Sequence, residues 1–303
     1  LELETRKNEG MPLGAKVSLL VACFFWALSF IASKKALEVI PPLMVVTLRL
    51  MISSLCFLAW VIIKRKKIKF QGLQWLGHLF ILSLFGATLH YAIQTSALEY
   101  TTASNASVYA AIGPVSITLL AALFLDEKIT KNKALGIGAA LTGALVVTGI
   151  DTIIKFDLSG NLLGDLLVLS SVVMWGIFTV FGKGMMAKMD AIDFTAMVTF
   201  LGTLTMIPLG WYEKNVTSFS LTNITPVAWI AVAFLGITCS FLATLLYFHA
   251  LEKTESQKVG VYLYTIPPMT TIIAALYLGE VISWHLPIGI VIVLSGVYLT
   301  ERG

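Results

Sequence analysis

Residues 97–114 read ALEYTTASNASVYAAIGP, and residues 250–267 read ALEKTESQKVGVYLYTIP. The offset between them is 153, and it carries Ala97-Leu98-Glu99 onto Ala250-Leu251-Glu252, Val108-Tyr109 onto Val261-Tyr262 and Pro114 onto Pro267. The same offset continues outward, so that Glu127 falls on Glu280, Ile129 on Ile282 and Gly143 on Gly296. Near the start of each half the offset is 149, which sets Trp26 on Trp175 and Lys34 on Lys183. A register this steady marks an internal duplication.

The repeated unit is apolar. Hydrophobic residues make up 57% of the chain and charged residues 13%, and the mean hydropathy is +0.87. A soluble domain carries about 25% charged residues. Too little polar side chain is present to cover a surface in water, so lipid must be the main solvent. A net charge of +4 gives no basic face for nucleic acid. Cys23, Cys56 and Cys239 sit singly in apolar runs and read as small hydrophobes, without disulfide or metal spacing. The charged stretch 1–14 lacks a long apolar centre and reads as a cytoplasmic tail with no cleavable signal.

A membrane-spanning helix needs about 20 mostly apolar residues. Ten runs qualify: 15–37, 42–63, 74–97, 104–125, 132–150, 163–186, 193–212, 226–250, 258–279 and 285–300. The expected fold is therefore all-α, with ten transmembrane helices in two five-helix repeats, 15–150 and 151–303. Lys and Arg mark the side. With both termini inside, sixteen basic residues fall in inner segments, among them the run Lys64–Lys69 and Lys128, Lys131 and Lys133. Only Lys34, Lys35, Lys155 and Lys214 fall outside. Because each repeat holds an odd number of spans, the second enters the bilayer inverted. Inverted repeats are a common plan of secondary transporters, since two equivalent halves support two mirror-related conformations of similar energy. A cell-membrane location follows.

The stretch from Trp26-Ala27-Leu28-Ser29-Phe30 through Lys35–Pro42 to Leu48-Arg49-Leu50 resembles the opening of an EamA-type repeat. Ala97–Pro114 with Leu125–Gly143, and Ala250–Pro267 with Leu278–Gly296, resemble its close. The resemblance covers nearly the whole chain after residue 14 and points to the ten-span branch of the drug/metabolite transporter superfamily. It implies a central cavity lined by the first, third and fourth helices of each half, with the fifth and tenth peripheral. It also implies export of amino acids or other metabolites, with no cofactor.

Polar residues within spans are expected to face a cavity or a partner helix. In the third span Ser83, Ala87, His90 and Gln94 share a face. The matching face of the eighth is Gly236, Ser240, Ala243 or Thr244, and Tyr247. His90 reads as a substrate hydrogen-bond partner or a proton-linked switch, against a histidine satisfied by its neighbours. Trp26 and Trp175 read as cavity walls or as packing residues, and so do Tyr109, with Asn105 one turn earlier, and Tyr262. Lys34 with Glu99, and Lys183 with Glu252, read as two alternating gates or as charges snorkelling to the headgroups. Arg49, about two turns into the second span, either snorkels outward or neutralises a carboxylate, and the first reading is favoured. Pro114 and Pro267 are expected to bend their helices as hinges or static kinks. Gly136, Gly138, Gly143, Gly289 and Gly296 are expected to permit close packing within the fold or at a dimer face.

The competing readings are an exchanger of organic phosphates or nucleotide sugars, a multidrug exporter, a channel and a membrane enzyme. A phosphate cargo should require several buried cations. HExxH, GxSxG, paired intramembrane Asp, metal spacing and a Walker sequence are all lacking. The expected partners are a small-molecule substrate and the bilayer, with a monomer or homodimer left open.

Overall fold

The computed structural model describes residues 11–65, 72–148, 162–279 and 284–303, without the side chains at 104, 105, 108, 148, 162 and 278. Among the described residues every regular element is helical. In chain order they are α1 (Leu13–Leu37), α2 (Pro42–Ile63), α3 (Leu73–Ala97), α4 (Ala103–Ala110), α5 (Gly113–Phe124) and α6 (Lys131–Thr148). The second half follows with α7 (Leu162–Met186), α8 (Ala191–Val216), α9 (Pro226–Lys253), α10 (Ser256–Tyr277) and α11 (Leu286–Glu301).

Seven of these, α1, α2, α3, α7, α8, α9 and α10, are long and apolar enough to cross a membrane. The expected fourth span is broken into α4 and α5. The expected fifth, α6, opens on Lys131, Asn132 and Lys133, which shortens its apolar part, and the expected tenth, α11, has 16 residues. Large apolar side chains such as Leu123, Leu135, Ile230 and Leu276 lie exposed on the outside, as contact with lipid requires.

The duplication is visible in the irregularities of the backbone. α3 contains a π-helical stretch at Leu84–Leu89, and α9 contains one at Leu235–Ala243, an overlapping place in the repeat. Such stretches insert a residue into the helix and re-aim the side chains around it. α4 stops at Ala110, and α5 resumes at Gly113 with Pro114 in its first turn. In α10 a 3-10 segment, Val261–Thr265, gives way to an α-helix at Ile266 with Pro267 in its first turn. The expected continuous helix is broken ahead of Pro114, between α4 and α5, whereas Pro267 sits within α10 just after its helical form changes.

The two halves share one core. Trp26 on α1 donates through Nε1 to the Cys239 carbonyl on α9 (3.2 Å), and the Cys239 thiol donates back to the Phe25 carbonyl (3.3 Å). α2 and α8 run side by side, with the Ser54 and Thr203 hydroxyls bonded at 2.8 Å. α6 and α11 meet through their glycines in antiparallel register. A methyl carbon at Gly143 would lie 2.8 Å from the Gly289 carbonyl oxygen, and one at Gly296 would lie 2.5 Å from that of Gly136. Gly136, Gly143, Gly289 and Gly296 are thus packed within the chain, with backbones close enough for dispersion to hold two helices together in lipid, whereas Gly138 meets nothing within 4 Å.

Candidate functional site

A cavity lies between the halves. Trp26, His90, Gln94 and Trp175, four of the residues singled out by spacing, line it together with Arg49, Ser29, Phe30 and Tyr91. Ala110 and Gly113, at the break between α4 and α5, and Leu263 and Ile266, at the equivalent place in α10, complete the wall with Val172. The lining includes α2 through Arg49, beyond the helices that the resemblance implied.

The repeat-equivalent tryptophans meet edge to face, with ring centroids 5.3 Å apart. Tyr247 packs against both, 5.2 Å from Trp26 and 5.6 Å from Trp175. It is fully buried behind them and does not line the cavity, contrary to expectation. The His90 ring lies 5.0 Å from that of Trp175, and its Nδ1 is 2.8 Å from the Ser171 carbonyl on α7. A carbonyl can only accept, so Nδ1 carries the proton and a neutral ring keeps Nε2 as an acceptor.

Arg49 corrects its favoured reading. It is only 2% exposed, and it points into the core instead of snorkelling. Its Nε donates to Ser240 Oγ (2.9 Å), and its Cζ lies 4.2 Å from the centre of the Tyr91 ring. The π-helical stretch of α9 presents Ser240 to it. No carboxylate pairs with the guanidinium among the described residues, and none lines the cavity.

The phenols of the other expected pair go elsewhere. Tyr109 donates to Asp165 Oδ2 (2.8 Å) on α7, and Tyr262 donates to Glu301, which also pairs with Lys16. A phenol held in a low-dielectric interior needs an acceptor, and a nearby carboxylate supplies one. The Asn105 side chain is outside the described residues.

The C-terminal end of α7 is closed by two layers. Phe178, Phe194 and Phe248 pack together beside Trp175, with centroid separations of 4.9–5.6 Å. Beyond them Lys183 Nζ bonds to Glu127 Oε1 (2.9 Å) and to the Thr254 carbonyl (2.7 Å). The expected pairing of Lys183 with Glu252 is therefore corrected. Glu252 is partly exposed beside His249, whereas Glu127 is buried and also accepts from the backbone N–H groups of Ser256 (2.8 Å) and Gln257 (3.2 Å). These groups open α10, so the carboxylate caps a helix N-terminus as well as pairing with a cation. Burial opposes ionisation of Glu127, but the Lys183 charge and these hydrogen bonds prevail and hold its carboxyl below the usual range. Asp126, with φ of 53°, turns the chain to aim Glu127 inward, and Gly279, with φ of 71°, occupies the equivalent place before Glu280. Glu280 itself is outside the described residues.

At the opposite end Lys34 donates to the Leu98 carbonyl that closes α3. Burial raises the carboxyl of nearby Glu99, and the Lys34 charge opposes the rise. Each repeat thus uses its equivalent lysine to satisfy a carbonyl at the end of its third helix. Glu127, Asp165 and Tyr91 were not singled out by spacing. Glu127 had a signal, its match to Glu280. Asp165 falls on Lys16 at the offset of 149, a charge reversal at the start of each repeat.

Residues 14–149 and again residues 162–302 match the EamA-like transporter family. A transporter of Archaeoglobus fulgidus described as uncharacterized is 33% identical over 292 residues, which cover 95% of this chain and 98% of the relative. The uncharacterized transporter YoaV of Bacillus subtilis is 24% identical over 283 residues, 93% of this chain and 95% of its own. Protein PagO of Salmonella typhimurium is 22% identical over 288 residues, 94% of this chain and 91% of its own. A solved crystal structure shares the fold, with a TM-score of 0.73 at 18% identity over 94% of this chain and 95% of that one. With the family matched in both halves and a relative one-third identical along nearly the whole length, the chain is a multi-pass membrane transporter of the EamA-like family in the drug/metabolite transporter superfamily.

Proposed function

We propose that the chain exports small organic metabolites, amino acids or related compounds, by alternating access of the central cavity. The carrying observation is a cavity between two interwoven repeats whose α7 C-terminal side is sealed twice, by the Phe178–Phe194–Phe248 cluster and by the Glu127–Lys183 pair. On this reading α4 with α5, α6 and α11 complete ten spans in two inverted repeats, 15–150 and 151–303. The Lys and Arg distribution supports a cell-membrane location with both termini, and the sealed side, in the cytoplasm. The resting conformation is then open outward. The segment starts at Pro114 and Pro267 act as the hinges, and release of the Glu127 pair accompanies the change of side.

Organic phosphates and nucleotide sugars rank lower because Arg49 is the one cation among the cavity-lining residues. The test is flux of a labelled panel of amino acids and amines into liposomes holding the purified protein, with and without a pH gradient. At least one solute is expected to move faster than in protein-free liposomes, and His90→Ala is expected to slow it. No flux for any solute, including the phosphates, would refute transport of this class.

A further inference from the structure

From the surroundings of Arg49 we infer that the cavity recognises an organic monocarboxylate with a flat apolar body. The inference rests on the transport reading above and narrows its substrate. Arg49 is buried in a span, where an unpaired charge is strongly disfavoured. Its protein partners compensate it incompletely. Ser240 takes Nε, the Tyr91 ring lies beside Cζ, and no carboxylate reaches it among the described residues. The planar fork of a guanidinium matches a carboxylate in two parallel hydrogen bonds. With Nε anchored by Ser240, the terminal N–H groups are the donors left to meet such a ligand at the cavity wall.

The rest of the cavity sets the body of the ligand. The edge-to-face pair Trp26 and Trp175, with Phe30, presents apolar ring surface that suits a flat group. Gln94 and His90 Nε2 offer the remaining polar contacts. One buried guanidinium balances one negative charge. A phosphate dianion would leave charge unbalanced, and a cationic amine would face Arg49 with no acid in the lining.

Three ligands of one skeleton test this on the unmodified protein: 3-phenylpropanoate, 3-phenylpropanamide and 3-phenylpropylamine, titrated by tryptophan fluorescence and by thermal stabilisation. The carboxylate is expected to bind about ten- to a hundredfold more tightly than the amide, the range for a charge-assisted hydrogen bond over its loss. The amine should bind weakest. Arg49→Gln should abolish the preference. Ser240→Ala, which leaves the charge but frees Nε, should weaken carboxylate binding while leaving the amide unchanged. Equal affinity for carboxylate and amide, tighter binding of the amine, or binding of none of the three would overturn the inference. Flux of the same compounds into liposomes separates the two readings. Charge-selective binding without flux of any solute would sink transport and keep the carboxylate site. Flux without charge preference would do the reverse.

Discussion

Replacing Glu127 with Gln should unlock the α7 C-terminal end of the molecule. The substitution keeps the shape and one acceptor oxygen but removes the charge. Three hydrogen bonds converge on that carboxylate, from Lys183 Nζ and the backbone N–H groups of Ser256 and Gln257. Orphaning one partner of a buried ion pair costs about 3–5 kcal/mol. Here the Lys183 side chain is 24% exposed and retains the Thr254 carbonyl, so solvent and that bond offset part of the loss. A shift of about 2–3 kcal/mol remains, and at about 1.4 kcal/mol per tenfold it raises the open population about thirty- to a hundred-and-fortyfold. Val259, fully buried two residues beyond Gln257, is the reporter. With Cys56 replaced by Ala, Val259→Cys is labelled by a water-soluble maleimide in the full-length protein, and E127Q without the reporter gives the background of Cys23 and Cys239. The labelling rate should rise by that factor. An unchanged rate in a folded E127Q protein would refute the claim that this carboxylate holds the end closed.

Acid should open the same lock, within a defined window. The Glu127 carboxyl is held below its ordinary value in the closed state, so the stabilisation it lends is fully present above about pH 4.3 and is lost as pH falls through the lowered value. Labelling of Val259→Cys, corrected for thiolate content, should be flat from pH 7 to about 5 and should rise below that; a rise centred near pH 6.5 would implicate another group. Gly143→Ala should lower the thermal midpoint of the protein, because the new methyl would sit 2.6 Å from Val293 N and 2.8 Å from the Gly289 oxygen. Gly138→Ala in the same helix meets nothing within 4 Å and should be neutral or slightly stabilising, by up to about 1 kcal/mol. Equal effects of the two would contradict the α6–α11 packing. Asp126→Gly should stabilise the turn before Glu127 by about 0.5–1 kcal/mol, since φ of 53° disfavours a side chain, and Asp126→Val should weaken it; chemical denaturation of the two variants distinguishes them.

The fold was readable because its two signals, apolar runs and a fixed offset between halves, are properties of neighbours in sequence. The count of spans was less readable. The apolar run 104–125 hides a break at 111–112, since Ala111 and Ile112 keep the hydropathy high while the helix stops. Of the site, Trp26, His90, Gln94 and Trp175 were legible because helical spacing sets them on inward faces. Arg49 was not, because its placement near a span end suggests an escape to the headgroups, and the hydroxyl that holds it is 191 residues away. Distance in sequence also hid the partner of Lys183. Glu252 shares its repeat, whereas Glu127 reaches it from the other half.

The duplication makes the two ends of the molecule equivalent in backbone, so the side chains must decide which end is sealed. The offset of 149 carries Ser29 onto Phe178, and the offset of 153 carries Gln94 onto Tyr247 and Thr95 onto Phe248. At one end these positions hold a hydroxyl and an amide that leave room for the cavity. At the other they hold rings, and Phe178 and Phe248 pack with Phe194 at centroid separations near 5 Å. Aromatic pairs contribute about 0.5–1.5 kcal/mol each beyond the area they bury. Several such pairs, added to the Glu127–Lys183 bond, favour closure of the ring-filled end by more than thermal energy. Yet each is a separate, breakable contact between helices, the rings within the second repeat and the Glu127–Lys183 bond between the two repeats. A ligand bound against Arg49 can offset a bias of that size only if it binds more tightly when the rings have parted. Selectivity and change of side would then draw on the same interaction: a guanidinium left incompletely paired in the resting protein, and two tryptophans at the boundary between the open chamber and the filled one.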